Sequence, residues 1–199
     1  MKNTFRFLGA AVLVSILSFT TPESRKRIVI DAGHGGQDIG ATHGFYSEKQ
    51  IVSNIANQIA SQNRNTEIEI ILTRDNDEFS SLQERTEKIN KLQPDLVISL
   101  HINKNTNEEA NGIEAYVSDQ NERFEASKAH AEELVSVLSD NKLRSRGVKI
   151  APMYLLKNTK SPAVVLELGF LSNANDRNYL SSDSGQKEIA QKISGYLTR

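Results

Sequence analysis

The chain contains no cysteine among its 199 residues. This absence excludes disulfide bonds, thiolate nucleophiles and zinc sites with cysteine ligands. It also excludes a lipoprotein anchor, because such an anchor is attached to a cysteine at the processed terminus. A broad excess of one charge is absent as well, since 24 basic and 25 acidic residues leave a formal net charge of -1. The composition therefore gives no reason to expect a nucleic-acid partner.

The chain also lacks a long hydrophobic run. The longest, at 7–19, follows Lys2 and Arg6 and is too short to cross the roughly 30 Å hydrocarbon core of a bilayer, but it is typical of the apolar region of a signal peptide. No clean A-x-A cleavage site follows it, so a retained membrane anchor and a buried first helix remain alternatives. We predict that residues 1–24 are a signal peptide or an N-terminal membrane anchor. Either interpretation places the protein outside the cytoplasm, in the periplasm or cell envelope.

The remaining residues, 25–199, have a length and an apolar content that suit one globular domain. Short apolar, β-branched runs predict strands at 28–30, 68–72, 96–100, 112–117 and 163–166, with a further strand at 153–156. Apolar stripes at helical spacing predict helices starting at 47, at 81–92, at 122–139 and at 185–197. Strands that alternate with helices indicate a single α/β domain with a mostly parallel sheet.

Two of these helices begin with a possible capping box. Ser47 is followed three residues later by Gln50, and Ser81 is followed by Glu84. In this pattern the serine hydroxyl and the later side chain each bond to a backbone N–H of the first turn. We expect both helices to start in this way.

Four polar residues are predicted to lie near the carboxyl ends of the strands. His34, His101 and Glu167 follow the first, third and last predicted strands, and Glu48 begins the helix after the first strand. In open α/β sheets, ligands bind at this edge. Two imidazoles and one carboxylate with an open fourth position form a catalytic zinc site, in which a second carboxylate can serve as general base. The residues alone do not decide which glutamate binds metal.

Each residue also has an ordinary structural interpretation. A histidine after a strand often serves only as a hydrogen-bonding residue, and a glutamate in a first helical turn favours the helix dipole. Glu167 is harder to explain in this way, because its apolar surroundings desolvate a carboxylate. His43 and His130 are predicted to face solvent. The glycine-rich turn at 31–36 lacks the lysine and hydroxyl residue of a phosphate-binding loop.

An ordered series of motifs between Arg27 and Leu197 resembles a known family, the zinc-dependent N-acetylmuramoyl-L-alanine amidases of bacterial cell separation and spore-wall lysis. The motifs are IVIDAGHGG at 28–36, SEK at 47–49, LTRDND at 72–77, DLVISLHIN at 95–103, GIEAY at 112–116, RGVK at 146–149 and PAVVLELGFLSN at 162–173. Alanine stands at position 32, where the family usually has proline. Because that proline coordinates nothing, the difference does not weaken the resemblance.

The resemblance implies a sheet of about six strands and one zinc ion held by His34, Glu48 and His101. It places the catalytic glutamate at Glu167 and a substrate contact at Asn103. Arg74 and Arg85 also match family positions, and we expect both to pair with nearby carboxylates.

The implied reaction is hydrolysis of the amide bond between N-acetylmuramic acid and L-alanine in peptidoglycan, in cell-wall remodelling or cell separation. Some relatives carry an extra helix that covers the zinc until an activator removes it. No such insertion lies between Val117 and Gly147, so we expect an open site. A monomer is the default, and a protein activator and membrane association through residues 1–24 remain open. A zinc peptidase acting within the stem peptide and a catalytically silent wall-binding or activator protein are the rival functions.

Overall fold

A computed structural model describes residues 25–199, so the signal-peptide or anchor prediction for residues 1–24 lies outside it. The strands of this part of the chain are β1 Lys26–Ala32, β2 Thr42–His43, β3 Tyr46–Ser47, β4 Ile68–Leu72, β5 Leu96–Asn103, β6 Ile113–Val117, β7 Ser145–Ile150 and β8 Ala163–Phe170. The helices are α1 Glu48–Gln62, α2 Leu82–Leu92, α3 Phe124–Leu138, α4 Tyr154–Asn158, α5 Ala174–Ser181 and α6 Asp183–Leu197. Within residues 25–199, no helix is both long and apolar enough to span a membrane.

Six of the strands form one sheet in the order β4-β1-β5-β8-β6-β7. Strands β4, β1, β5 and β8 run parallel to one another, whereas β6 runs antiparallel to β8 and β7 runs parallel to β6. Strands β2 and β3 form a separate small hairpin. The prediction of a single α/β domain with a mostly parallel, six-stranded sheet is confirmed.

The sheet is covered on both faces, which explains why its central strands are continuous apolar runs. Because side chains alternate along a strand, Ile28 and Ile30 enter the larger core with α1, α3 and α6, and Val29 enters a smaller core with α2 and α4. By the same alternation, His101 and Glu167 lie on the α2 and α4 face, since their sequence neighbours in β5 and β8 belong to the larger core.

The predicted strand at 153–156 is wrong. Residues Tyr154–Asn158 form the short helix α4, which buries Leu155 and Leu156 in the smaller core. A four-residue apolar run does not distinguish a strand from one buried helical turn. Sequence reasoning also missed β7, an edge strand with a central glycine and two charged residues, as well as helix α5 and the β2–β3 hairpin.

One of the two predicted capping boxes is present. The Ser81 hydroxyl accepts from the Glu84 N–H, and the Glu84 side chain accepts from the Ser81 N–H. Ser47 makes no side-chain cap. The N–H groups of Glu48 and Lys49 are bonded instead to the loop carbonyls of Ala41 at 2.8 Å and Ile39 at 3.4 Å. The tertiary fold has satisfied this helix end without the serine hydroxyl.

Candidate metal centre and active site

Three predicted metal ligands converge at the carboxyl ends of β1 and β5. Glu48 Oε1 lies 2.9 Å from His34 Nε2 and 2.9 Å from His101 Nδ1. The side chain of Glu48 is only 5% exposed, whereas those of His34 and His101 are 22% and 24% exposed. The buried carboxylate therefore anchors two imidazoles that remain open to solvent.

Backbone donors hold the Glu48 carboxylate in place. The Ala41 N–H donates to Oε2 at 2.8 Å, and the Ile102 N–H donates to Oε1 at 3.0 Å. Burial would raise the pKa of Glu48, but hydrogen bonds with the two imidazoles hold it well below its usual range. Glu48 is thus a fixed negative charge at the centre of the group.

The negative charge of Glu48 favours binding of a cation between the two imidazoles. Burial would lower the pKa of His34 and of His101, yet the hydrogen bond of each to Glu48 raises it. Asp38 adds a further carboxylate, with Oδ2 2.9 Å from His34 Nδ1, although these two atoms are not aligned as a hydrogen bond. The electrostatics that favour a proton on the imidazoles equally favour a metal ion between them.

The donor set fits a metal ion. The three side chains each offer one ligand atom, and these atoms lie within 4.8 Å of one another. A tetrahedral zinc ion with bonds of about 2.0–2.2 Å needs ligand atoms about 3.4 Å apart, which small side-chain rotations provide. Two imidazole nitrogens and a carboxylate oxygen are donors that zinc accepts readily. The described residues can therefore hold a metal ion.

Glycine at position 33 is required by the position of His101. A Cβ built on Gly33 would lie 2.4 Å from His101 Cε1, closer than real Cβ contacts allow. His34 itself adopts a positive φ of 59°, which is uncommon for residues other than glycine. The turn after β1 thus brings its backbone against one imidazole while it directs the next residue at the same site.

Two buried arginines stabilise the turn after β1 through hydrogen bonds to its carbonyls. Arg85 pairs with Asp31 at 2.9 Å and also donates to the carbonyls of Ala32 and His34. The prediction that Arg85 pairs with a carboxylate is confirmed. For Arg74 it is wrong, because its hydrogen bonds go to backbone carbonyls, including that of Ala32 at 3.1 Å and that of Gly33 at 2.9 Å. Carbonyls left without partners by the tight turn supply acceptors that the sequence did not reveal.

Glu167 lies one strand away from this metal centre. It is the register partner of His101 in the parallel β5–β8 pair, so the two residues are about 4.8 Å apart across the strands. Glu167 Oε2 is buried and has no hydrogen-bond partner among the described residues. Burial, with the nearby Glu48 and Glu114 carboxylates, raises the pKa of Glu167 to about 7, and a divalent cation beside it would lower that value. A carboxyl group poised near neutral pH can both take and return a proton.

A buried charged cluster on β6 was missed by sequence reasoning. Glu114 is the register partner of Glu167 in the antiparallel β6–β8 pair and is 1% exposed. It accepts hydrogen bonds from Asn103, Tyr116, Arg146 and Lys149. The apolar neighbours of Glu114 in GIEAY were a signal, because a carboxylate in such surroundings needs partners, as argued above for Glu167.

The other predicted residues occupy less direct positions. Asn103 lies at the end of β5, where its amide donates to Glu114 at 3.1 Å and its Oδ1 accepts from the Lys104 N–H at 2.8 Å. His43 is exposed on the β2–β3 hairpin. The prediction that His130 faces solvent is wrong, because α3 packs against α6 and places its Nδ1 2.5 Å from the Tyr196 hydroxyl.

A cavity of about 670 Å³ opens beside the metal ligands. His34, His101 and Glu167 line one end, and its other walls are largely apolar, formed by Phe79, Leu82, Met153, Tyr154, Leu155 and Val165. The helix between Val117 and Gly147, α3, packs on the opposite face of the sheet. It therefore does not cover the site, in agreement with the expected open arrangement.

Comparison with known proteins shows the family to which the chain belongs. Residues 28–199 match the sequence profile of the family described as N-acetylmuramoyl-L-alanine amidase. The chain belongs to this family. The amidase family predicted from the ordered motifs is thereby confirmed, and the match covers every candidate site residue named above.

Individual relatives agree with the family assignment. The N-acetylmuramoyl-L-alanine amidase LytC of Bacillus subtilis is 37% identical over 195 residues, which are 96% of this chain and 39% of LytC. The solved catalytic domain of CwlV, an N-acetylmuramoyl-L-alanine amidase from Bacillus (Paenibacillus) polymyxa, is 31% identical with a TM-score of 0.76, and the match covers 87% of this chain and 96% of that domain. The chain thus spans well under half of LytC but nearly the whole of the CwlV catalytic domain.

A third relative was solved with a partner. The CwlD amidase from Clostridioides difficile, in complex with the GerS lipoprotein, is 26% identical with a TM-score of 0.76. The match covers 87% of this chain and 99% of CwlD. The fold of an amidase of this family is therefore shared over almost all of residues 25–199.

Proposed function

We propose that the chain is a zinc-dependent N-acetylmuramoyl-L-alanine amidase that acts on peptidoglycan during cell-wall remodelling or cell separation. The observation that carries the proposal is the placement of a buried carboxyl group without a partner, Glu167, one strand away from the His34, Glu48 and His101 donors. Membership in the amidase family supports the substrate, and the two-imidazole, one-carboxylate donor set supports zinc.

In this proposal His34, Glu48 and His101 hold one zinc ion. When bound, zinc supplies a Lewis acid that polarises the scissile carbonyl and lowers the pKa of a water in the site. The backbone hydrogen bonds from Ala41 and Ile102 fix the Glu48 carboxylate in the position from which it would bind the ion.

Glu167 moves the proton. Its unpartnered Oε2 accepts a proton from the attacking water, whose oxygen bonds to the lactyl carbonyl carbon of N-acetylmuramic acid. The carbon–nitrogen bond then breaks, and the same carboxyl group gives its proton to the departing L-alanine nitrogen. The products are a lactyl carboxylic acid on the sugar and a free amine on the peptide. At neutral pH the acid's proton passes to the amine, which gives a carboxylate and an ammonium group, and Glu167 is left ionised as it began.

The remaining parts of the site bind the substrate. The apolar walls of the cavity, formed among others by Phe79, Leu82 and Tyr154, are suited to cover a sugar ring and its acetyl group beside the metal centre. Asn103 lies at the rim of the same edge of the sheet, and we include it as a substrate contact held in orientation by Glu114.

The test is mass analysis of purified muropeptides after incubation with the chain, with and without zinc chelation. Release of stem peptides that begin with L-alanine, only when metal is present, is the expected result. Cleavage inside the stem peptide would indicate a zinc peptidase instead. Binding to cell walls without release of any product, by folded protein that contains zinc, would favour the silent wall-binding or activator protein.

We further propose that residues 1–24 direct export to the periplasm or cell envelope, as a cleaved signal peptide or as a membrane anchor. The support is the apolar run at 7–19 after two basic residues. Cell fractionation with mass analysis of the recovered chain tests this. Recovery of the intact chain from the cytoplasm alone would refute export.

The catalytic domain is proposed to act as a monomer, and a protein partner is proposed to regulate it. The support for a partner is that the related CwlD was solved in complex with the GerS lipoprotein. Full activity of the purified chain towards cell walls, unchanged by envelope extract, would argue against a required partner.

A further inference from the structure

On the flank of the site formed by β6 and β7, two cationic side chains bond to one buried carboxylate. Glu114 Oε2 accepts from Arg146 Nε at 2.7 Å and from Lys149 Nζ at 2.5 Å. Burial alone would raise the pKa of Glu114, but the hydrogen bonds from these cations and from a phenol outweigh it and lower the pKa. Glu114 is therefore ionised, and it fixes the position of both positive charges.

The sheet places this cluster next to the reacting residues. Glu167 is the register partner of His101 on one side and of Glu114 on the other. Three neighbouring strands thus present a metal ligand, the proposed base and the carboxylate that holds the cations in one row, at about 4.8 Å per strand. Arg146 lies at the end of β7 that borders the site, because β6 and β7 run opposite to β8.

The two cations are not saturated by this arrangement. Arg146 gives Nε to Glu114 and Nη1 to the Asn111 carbonyl at 3.4 Å, while its Nη2 makes no hydrogen bond with the described residues. The side chains of Arg146 and Lys149 are 26% and 40% exposed. Their two positive charges exceed the one negative charge of Glu114, so donors and charge remain available to an anion.

Both cationic side chains also make cation–π contacts with aromatic rings. The Arg146 guanidinium lies 4.9 Å from the centre of the buried Phe170 ring, and the Lys149 ammonium lies 5.6 Å from that of Tyr116. Asp176, another carboxylate near Arg146, accepts instead from the backbone N–H groups of Gly112 and Phe170. These contacts hold the guanidinium plane in place while leaving its outer edge open.

The open edge of the Arg146 guanidinium, together with the Lys149 ammonium, is suited to bind a carboxylate. An arginine fork and an ammonium together bind a carboxylate through short, charge-assisted hydrogen bonds. The opposite flank offers no equivalent, because the cavity there has largely apolar walls and its one arginine, Arg85, is bonded to Asp31 and to backbone carbonyls. The two flanks of the scissile bond thus differ in chemistry as the two halves of the substrate do, one a sugar and the other an anionic peptide.

We propose that Arg146 and Lys149 form a subsite for the first free carboxylate of the stem peptide, with Glu114 as the residue that positions both cations. The subsite rests on the proposed amidase function and deepens it, since it assigns the peptide to the β6–β7 flank and the sugar to the apolar cavity. It makes Arg146 and Lys149 specificity-determining residues for the charge state of the peptide.

The experiment compares two substrates that differ only in that carboxylate. One is N-acetylmuramoyl-L-alanyl-isoglutamate with a free α-carboxylate, and the other carries a carboxamide at that α position; the γ-carboxyl group is amidated in both. The wild-type, zinc-loaded chain is expected to prefer the carboxylate form about tenfold in kcat/KM, as a charged hydrogen bond at a partly exposed site provides. In Arg146→Gln and in Lys149→Gln, the ratio of the two kcat/KM values is expected to fall towards about one.

Arg144→Gln is the matched control. Arg144 is an exposed arginine two residues earlier, whose Nε reaches the Asn111 carbonyl and not Glu114. This variant is expected to keep the wild-type ratio. Zinc content and thermal unfolding of all three variants separate loss of the subsite from loss of the fold.

Equal kcat/KM values for the two substrates in the wild type would overturn the subsite, as would variants that lose the same factor on both. If the wild type cleaves neither substrate, the amidase proposal fails instead. In that case calorimetric binding of L-alanyl-isoglutamate and of its carboxamide still decides the subsite, and equal affinity for the two peptides would refute it.

Discussion

His101 and Glu167 are register partners on the adjacent parallel strands β5 and β8, and their side chains leave the same face of the sheet. His101 contacts the Glu48 carboxylate, whereas Glu167 has a buried oxygen without a hydrogen-bond partner among the described residues. A nitrogen suited to metal and a carboxyl group with a pKa of about 7 thus lie side by side, and we propose that they form the reacting part of the site. The roles of these two residues can be separated by substitution.

Replacing Glu167 with Gln should remove the proton carrier and leave the metal ligands intact. We expect kcat/KM on muropeptides to fall by about 10²–10⁴-fold, with zinc content near one per chain. Steady-state kinetics and metal analysis measure the two quantities. Glu122→Gln, at an exposed position, serves as the matched control and should behave as wild type. Full activity of zinc-loaded Glu167→Gln would show that another group carries the proton.

Zinc should stabilise the folded protein, because the three donors are assembled only after folding. At a free zinc concentration 100 times the dissociation constant, the free energy of unfolding should increase by about 2.7 kcal/mol. Thermal unfolding with and without chelator measures the shift. His101→Ala should lose most of it, and a shift of equal size in that variant would mean that zinc binds elsewhere.

Gly33→Ala should disturb the metal centre, because the added Cβ would lie 2.4 Å from His101 Cε1. We expect zinc affinity to fall by about 10–100-fold as the imidazole is displaced, with a parallel loss of activity. Gly195→Ala is the control, since nothing lies within 4 Å of a Cβ at that exposed helical position. That variant should be as active as wild type and slightly more stable, by about 0.5–1 kcal/mol.

Asp31→Asn should destabilise the fold by about 3 kcal/mol at neutral pH, because it leaves the buried Arg85 guanidinium without its carboxylate. Burial works to raise the pKa of Asp31, but Arg85 and hydrogen bonds from Thr73 and Ser99 lower it. A lowered pKa in the folded state contributes stability above about pH 4, and this contribution is lost as the pH falls through the folded value.

Urea unfolding of the wild type and of Asp31→Asn at pH 7 and near pH 3 tests this linkage. The difference between the two proteins should shrink at the lower pH. Asp119→Asn, at an exposed position, should stay within about 0.5 kcal/mol of wild type. A difference that does not depend on pH would contradict the assigned role of the Asp31 charge.

Tyr154→Ala should weaken substrate binding, because this side chain is 42% exposed and forms part of the apolar wall of the cavity. We expect KM for muropeptides to rise several-fold, by about 1 kcal/mol of lost contact, with a small change in kcat. Ile150→Ala removes an exposed apolar side chain outside this cavity and should leave KM unchanged. Equal effects of the two substitutions would show that the wall does not contact substrate.

The sequence by itself determined the central strands and the set of metal donors. The continuous apolar run at 96–100 is typical of a strand in a sheet that is covered on both faces, and β5 forms there. The ordered motifs predicted the family, which the comparisons confirm. The resemblance also predicted metal binding by Glu48 and catalysis by Glu167, which the residues alone had left open and which stay predictions.

Tertiary structure decided what depends on contacts between distant parts of the chain. At the start of α1, loop carbonyls and not the Ser47 hydroxyl bond the first N–H groups. Residues Tyr154–Asn158 are helical because Leu155 and Leu156 complete a core against β8. Arg74 bonds to carbonyls that only the tight turn after β1 leaves free. His101, Glu167 and Glu114 lie in one row across β5, β8 and β6, and Arg146 on β7 extends it. This row forms only when strand order and register are set. The pairing of its strands follows from no local sequence pattern.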